Sequence, residues 1–225
     1  MSHLAETILS AAQALSEGGL LSAKEFLHLA SRAAVDQTLT RLTREGKLMR
    51  VGRGAYAAPV ISRFGVRPPS IEAVIKAIES VSGEVIVANG ATEANALGLT
   101  TQVPTREVFL TSGRSRKLQL GNRNVELKHG HRWQLVLGAR PAGMAIRALS
   151  WLGSEQASSA LKMLHTKLPP AEWAALRSAR AILPSWMARA VSEASDEFQT
   201  VSSKCQNNGN LEAVGQDDQD EKNLS

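Results

Sequence analysis

Thr111-Ser112-Gly113-Arg114-Ser115-Arg116-Lys117 puts three hydroxyls, a glycine and three cations in seven consecutive residues. Small residues let backbone N–H groups face an anion, and cations beside them add charge. Ser112, Arg114, Ser115, Arg116 and Lys117 are therefore candidate contacts to a phosphate, a DNA backbone or an acidic protein surface. The competing reading is a solvated basic turn. The run lacks the G-x-x-x-x-G-K-[ST] spacing of a P-loop, so nucleotide hydrolysis is not expected.

Other chemistries find less support. His129 and His131 share one strand face, but no neighbouring acid or thiol completes a ligand set, so no metal site is expected. Nucleotidyltransferases follow Gly-Ser shortly with Asp-x-Asp to hold magnesium. Here Gly153-Ser154 and Asp218-Gln219-Asp220 are far apart. No G-x-S-x-G elbow occurs. The lone cysteine, Cys205, has no ordered base to activate it and cannot form an intramolecular disulfide. The expectation is a protein with no catalytic residues and no cofactor.

A second group of residues suits DNA. Ser31 can cap a helix that Gly46 ends. Val35, Leu39 and Leu42 fall on one face of it, with Ala33, Gln37, Thr40, Arg41 and Arg44 roughly opposite. Ser31, Arg32, Ala33 and Gln37, at its N-terminal end, are placed to reach base edges in a major groove. Thr40, Arg41, Arg44 and Lys47 are placed for contacts further along, with Arg41 and Arg44 suited to phosphates. Arg50 and Arg53 sit on and beside a following hairpin, where cations meet the backbone or the minor groove.

The elements that must position these residues are readable nearby. Leu4, Ile8, Ala11, Ala12 and Leu15 have helical spacing, and Gly18-Gly19 stops that helix. Ser22 and Glu25 match a capping box for a short helix over about 23–29. Leu48–Val51 and Ala55–Ala58 flank Gly52-Arg53-Gly54 as two strands around a turn. Helix, helix, helix, hairpin is the order of a winged helix-turn-helix. Winged helices also serve as protein-interaction modules, and an arginine-rich face can be merely solvated.

Charge follows the same layout. Net charge is +5 over 225 residues, but residues 1–193 carry 24 basic against 14 acidic, and residues 194–225 carry 2 against 7. Residues 32–67 are net +6 and residues 106–147 net +7. A basic body suggests an anionic partner, nucleic acid first. Aromatics are only 4%, too few for a platform that stacks single-stranded bases. No apolar run reaches the roughly 18–20 residues of a membrane span.

The expected fold is α+β: a winged helix-turn-helix over 1–67, an α/β domain with a helical C-terminal part over 68–193 and a disordered acidic tail over 194–225. The second domain reads as strands, then helices. Strands are expected at Val85–Ala88, Glu107–Thr111, Lys117–Leu120 and Val125–Lys128, with a short helix at 91–98 capped by Asn89. Helices follow at about 141–152, 154–166, 170–180 and 184–195. Trp133, Trp151, Trp173 and Trp186 read as core or docking residues.

Two stretches carry a family resemblance: the G-x-L-x-R-V-G-R-G-x-Y segment from Gly46 to Tyr56, and A-N-A-L-G-L-T-T-Q-V-P from Ala94 to Pro104. Across about residues 15–155 the chain resembles AbiEi-type antitoxins, and more narrowly the DUF6088 group. The resemblance implies an antitoxin of a type IV toxin–antitoxin system whose partner toxin is a nucleotidyltransferase, with no direct complex required. It further implies a winged helix that binds repeats in its own promoter and represses the operon. That role falls on Ser31–Arg44 and Arg50–Tyr56. The implied location is cytoplasmic, nucleoid-associated when bound to DNA. The alternative is a solitary regulator, bound to a protein or responsive to an effector, with no toxin.

Overall fold

The computed structural model describes residues 3–197. Helix α1, His3–Ala14, buries Ala5, Ile8 and Ala12. The chain then reverses at Gly18, whose φ of +80° and position suit only glycine. A Cβ there would lie 2.5 Å from the carbonyl carbon of Ala73. Strand β1, Leu21–Ser22, leads into a 3-10 turn at Ala23–Phe26. The expected capping box forms, with the Ser22 N–H donating to the Glu25 carboxylate at 2.6 Å. It caps a single 3-10 turn rather than a helix over 23–29. Helix α2, Arg32–Arg44, follows.

Strands β2, Met49–Gly52, and β3, Ala55–Ala57, form the expected hairpin. With β1 they make an antiparallel sheet of order β1-β3-β2. Its two faces lie in different cores. Leu21, Leu48 and Tyr56 pack with Phe26, Val35, Leu39 and Leu42 against α1 and α2. Val51 and Ala57 pack the other way, into a core with α3 and a second sheet. A further hairpin, β4 (Val60–Ser62) and β5 (Gly65–Arg67), forms a two-stranded sheet of its own.

Helix α3, Ile71–Ser82, starts at Ser70, whose Oγ accepts the Ala73 N–H, and ends at Gly83 with φ of +69°. Ile71, Val74, Ile75 and Ile78 form its buried stripe. The second sheet holds β6 (Ile86–Ala88), β7 (Glu107–Thr111), β8 (Arg116–Leu120) and β9 (Arg123–His129), in the order β6-β7-β9-β8. β7 and β9 run parallel, the other pairs antiparallel. The order expected for 68–193, strands and one short helix before the later helices, is corrected at its start. α3 opens that stretch, and α4 (Gly90–Ala96), capped by Asn89 as expected, follows β6. The 67/68 boundary is also no break in packing, because Val51 and Ala57 share one core with α3, β8 and β9.

The remainder is helical: α5 (Arg132–Leu135), α6 (Pro141–Leu152), α7 (Ser154–Lys167), α8 (Pro170–Ser178), a 3-10 turn at Ala179–Ile182 and α9 over 185–197. Ile146, Leu149, Leu161, Leu164, Leu176 and Met187 centre its core. Trp173 is buried there, and Trp133 and Trp186 pack against it. Trp151, read as core or docking, is outside the core and 41% exposed. α9 passes the expected start of the tail, burying Ala194 and Ser195. The rest of the disordered tail expected over 194–225 lies outside the described residues. The fold is mixed α+β.

Candidate nucleic-acid interface

α2 divides its residues by physics. Val35, Leu39 and Leu42 are fully buried, which fixes the rotation of the helix and turns the opposite face to solvent. Ser31 caps it, its Oγ accepting the Ala34 N–H at 3.4 Å. Ala33, Asp36, Gln37, Thr40, Arg41 and Arg44 line one open groove of about 410 Å³ along the exposed face.

Not all of these groups are equally available. Arg32 pairs with Asp36 at 2.8 Å, and the Thr40 hydroxyl donates to the Asp36 carbonyl. Arg41 lies 4.0 Å from Glu45, which Lys47 holds at 2.7 Å. The hydrogen bond from Lys47 keeps the Glu45 carboxyl below its ordinary pKa. Gln37 and Arg44 have no side-chain partner among the described residues. On the β2–β3 hairpin, the Arg50 Nε donates to the Gly52 carbonyl at 3.4 Å. Arg53, between Gly52 and Gly54 (φ +71°), is exposed and has no partner among the described residues. From Gly46 to Ile71 the chain carries Lys47, Arg50, Arg53, Arg63 and Arg67 and no acidic residue.

The 111–117 run does not form an open cradle. The Thr111 hydroxyl and the Arg116 guanidinium donate to Glu84 at 2.7 and 2.9 Å. The Gly113 N–H donates to the Thr111 hydroxyl at 3.0 Å. A Cβ on Gly113 would lie 2.3 Å from the Glu84 carboxyl carbon, so any larger residue there would push that carboxylate aside. Partial burial pushes the Glu84 carboxyl up, but the hydrogen bonds from Arg116 and Thr111 outweigh it and hold its pKa low. Ser112 and Ser115 accept the N–H groups of Val85 and His129. His129 Nδ1 lies 2.8 Å from the Gly113 carbonyl. The anion in this loop is thus the protein's own carboxylate. Arg114 and Lys117 alone of the five candidates point to solvent with little to hold them; Lys117 is 80% exposed and 3.8 Å from Glu126.

Among the described residues, no group of three or more His, Cys, Asp or Glu side chains gathers in a way that could hold a metal. No helix of the described residues is long and apolar enough to cross a membrane. The structure brings together what the sequence leaves separate: Arg53 lines one cleft with Arg116 and Lys117. It also reveals the β4–β5 hairpin, where Ile61, Phe64 and Val66 are 79%, 85% and 67% exposed and the Arg63 guanidinium sits 4.6 Å over the Phe64 ring. The signal for it is the glycine in Ser62-Arg63-Phe64-Gly65, with β-branched Val60 and Ile61 before it and Val66 after it. The Ala94–Pro104 block is the end of α4 and a loop gathered on Asn95, whose amide donates to the carbonyls of Thr100 and Gln102.

The chain is thus a mixed α+β fold with an exposed basic helix face and a basic hairpin. Residues 7–168 match the DUF6088 family, described as a family of unknown function, and the chain belongs to it. The match spans both sides of residue 67, in keeping with their shared core. No curated protein and no solved structure matches the chain.

Proposed function

We propose that this protein is a sequence-specific DNA-binding transcriptional repressor built on a winged helix-turn-helix. In this reading it autoregulates its operon and acts as the type IV antitoxin to a nucleotidyltransferase. The observation that carries the repressor half is α2: a helix capped by Ser31, rotated by Val35, Leu39 and Leu42, that offers Gln37 and Arg44 with no side-chain partner among the described residues. A basic hairpin follows it, as a wing follows a recognition helix. The antitoxin half rests on the resemblance of Gly46–Tyr56 and Ala94–Pro104 to AbiEi-type antitoxins.

The test is a gel shift at physiological salt with DNA from upstream of the gene. Gln37→Ala is expected to relax preference for that DNA by about 1–3 kcal/mol at one base position. Equal affinity of the native protein for upstream and random DNA overturns the repressor reading. Failure to relieve growth arrest by a neighbouring nucleotidyltransferase overturns the antitoxin half alone.

A second reading is favoured by the β4–β5 hairpin. Exposed Ile61, Phe64 and Val66 suit a protein partner better than DNA. A protein-binding regulator with no toxin would keep its DNA affinity after Arg41 and Arg44 are reversed in charge.

A further inference from the structure

We infer that Arg114 and Lys117, which lie outside the DNA-reading unit, hold the same DNA backbone as Arg53 and form with it one phosphate-binding ridge. The inference rests on the proposed DNA-binding function and extends its surface into the second sheet.

Packing sets the geometry. A Cβ on Gly52 would lie 3.6 Å from the Leu118 side chain and 3.9 Å from the Lys117 carbonyl. The turn that carries Arg53 therefore lies directly against β8. Val51 and Leu118 are buried in the same core, so this placement is preorganised and not assembled on binding. Arg53, Arg116 and Lys117 line one cleft of about 430 Å³, with no carboxylate lining it among the described residues, and the Arg116 guanidinium donates to the Arg114 carbonyl at 3.1 Å.

Charge availability selects the residues. Arg116 is taken by Glu84 at 2.9 Å. Arg53 and Arg114 have no side-chain partner among the described residues, and Lys117 is 80% exposed. Glu84 already fills the hydrogen-bonding loop, so no cradle remains there for a single phosphate. What remains is a set of separate exposed cations, which suits a polyanion that carries one phosphate per about 3.4 Å of helix axis on each strand. Such contacts fix position and carry no sequence information.

The test measures binding of the full chain to upstream and random duplexes between about 50 and 200 mM salt. The slope of log affinity against log salt reads the ridge; the ratio of the two affinities reads the repressor function. Lys117→Ala, Arg114→Ala and Arg53→Ala are each expected to make the slope shallower by about 0.9 with the ratio unchanged. Lys117→Arg is expected to restore it. Arg116→Ala is expected to lower the melting temperature through loss of its Glu84 pair. Unchanged slopes in Lys117→Ala and Arg114→Ala, alongside a shallower slope in Arg53→Ala, overturn the ridge and leave the repressor reading standing. A ratio of one in the native protein overturns the repressor reading, and absence of binding to either duplex overturns both.

Discussion

At the scale of single residues, the costliest group to misplace is Arg147. Its side chain is fully buried on α6 and meets Glu93 of α4, itself 7% exposed. Nε and Nη2 donate to the Glu93 carboxylate at 3.2 and 2.8 Å, and Nη1 donates to the carbonyls of Gln134 and Gly138. Leu137, just before Gly138, has φ of 65°, a conformation costly for leucine. α4 comes this close because residue 90 is glycine: a Cβ there would lie 2.3 Å from the Arg147 carbonyl oxygen. Two ions out of water are tolerable only as a pair. Glu93→Gln is expected to destabilise by about 3–5 kcal/mol, since it strands a buried guanidinium. Adding Arg147→Met should recover part of that loss. Urea unfolding measures both, and an unchanged midpoint in Glu93→Gln would remove the pair from the account.

At the scale of elements, the β2–β3 hairpin is a shared wall and not an appendage. One face closes the α1–α2 core and the other closes the core of α3 and the second sheet. Leu118 on β8 is 5% exposed in that second core. Leu118→Ala is expected to cost about 2–5 kcal/mol while unfolding remains a single transition across residues 3–197. Two resolved transitions would show that the units fold apart. The sequence disclosed the elements well where one face repeats at a clean period, as in α2 and β9, or where a cap announces a start, as at Asn89. α3 carries both signals, Ser70 and an Ile71-Val74-Ile75-Ile78 stripe, and is an element that the sequence reading leaves out. The candidate site was less legible. α2 depends on local spacing and was visible. Occupation of the 111–117 loop depends on Glu84, 27 residues upstream and brought there only by the pairing of β6 with β7. Likewise Arg53 and Lys117 come to line one cleft through packing between sheets, which no local pattern encodes.

At the scale of the whole molecule, three carboxylates with lowered pKa tie distant parts together, and this dictates an acid response. Glu17 takes Arg67 and the Ser70 N–H, joining the α1–β1 turn to the start of α3. Glu84 joins the end of α3 to β7 and β8 through Thr111 and Arg116. Glu172 of α8 takes Arg140 and the Ala142 N–H at the start of α6. In each, the folded carboxyl titrates below its unfolded value of about 4.3. The unfolded chain therefore binds more protons over that interval, and stability falls as pH drops. The contribution is fully present above the unfolded pKa and is lost as pH falls through the folded one. Acid also removes negative charge from a body that already carries 24 basic against 14 acidic residues over 1–193, adding self-repulsion. The urea midpoint is expected to show no loss from these groups above about pH 6 and a fall below about pH 4–5. Glu17→Gln, Glu84→Gln and Glu172→Gln together should lower the neutral midpoint and flatten the acid fall, because those protons are no longer taken up. An acid fall as steep in the triple variant as in the native chain would assign acid sensitivity to net charge alone.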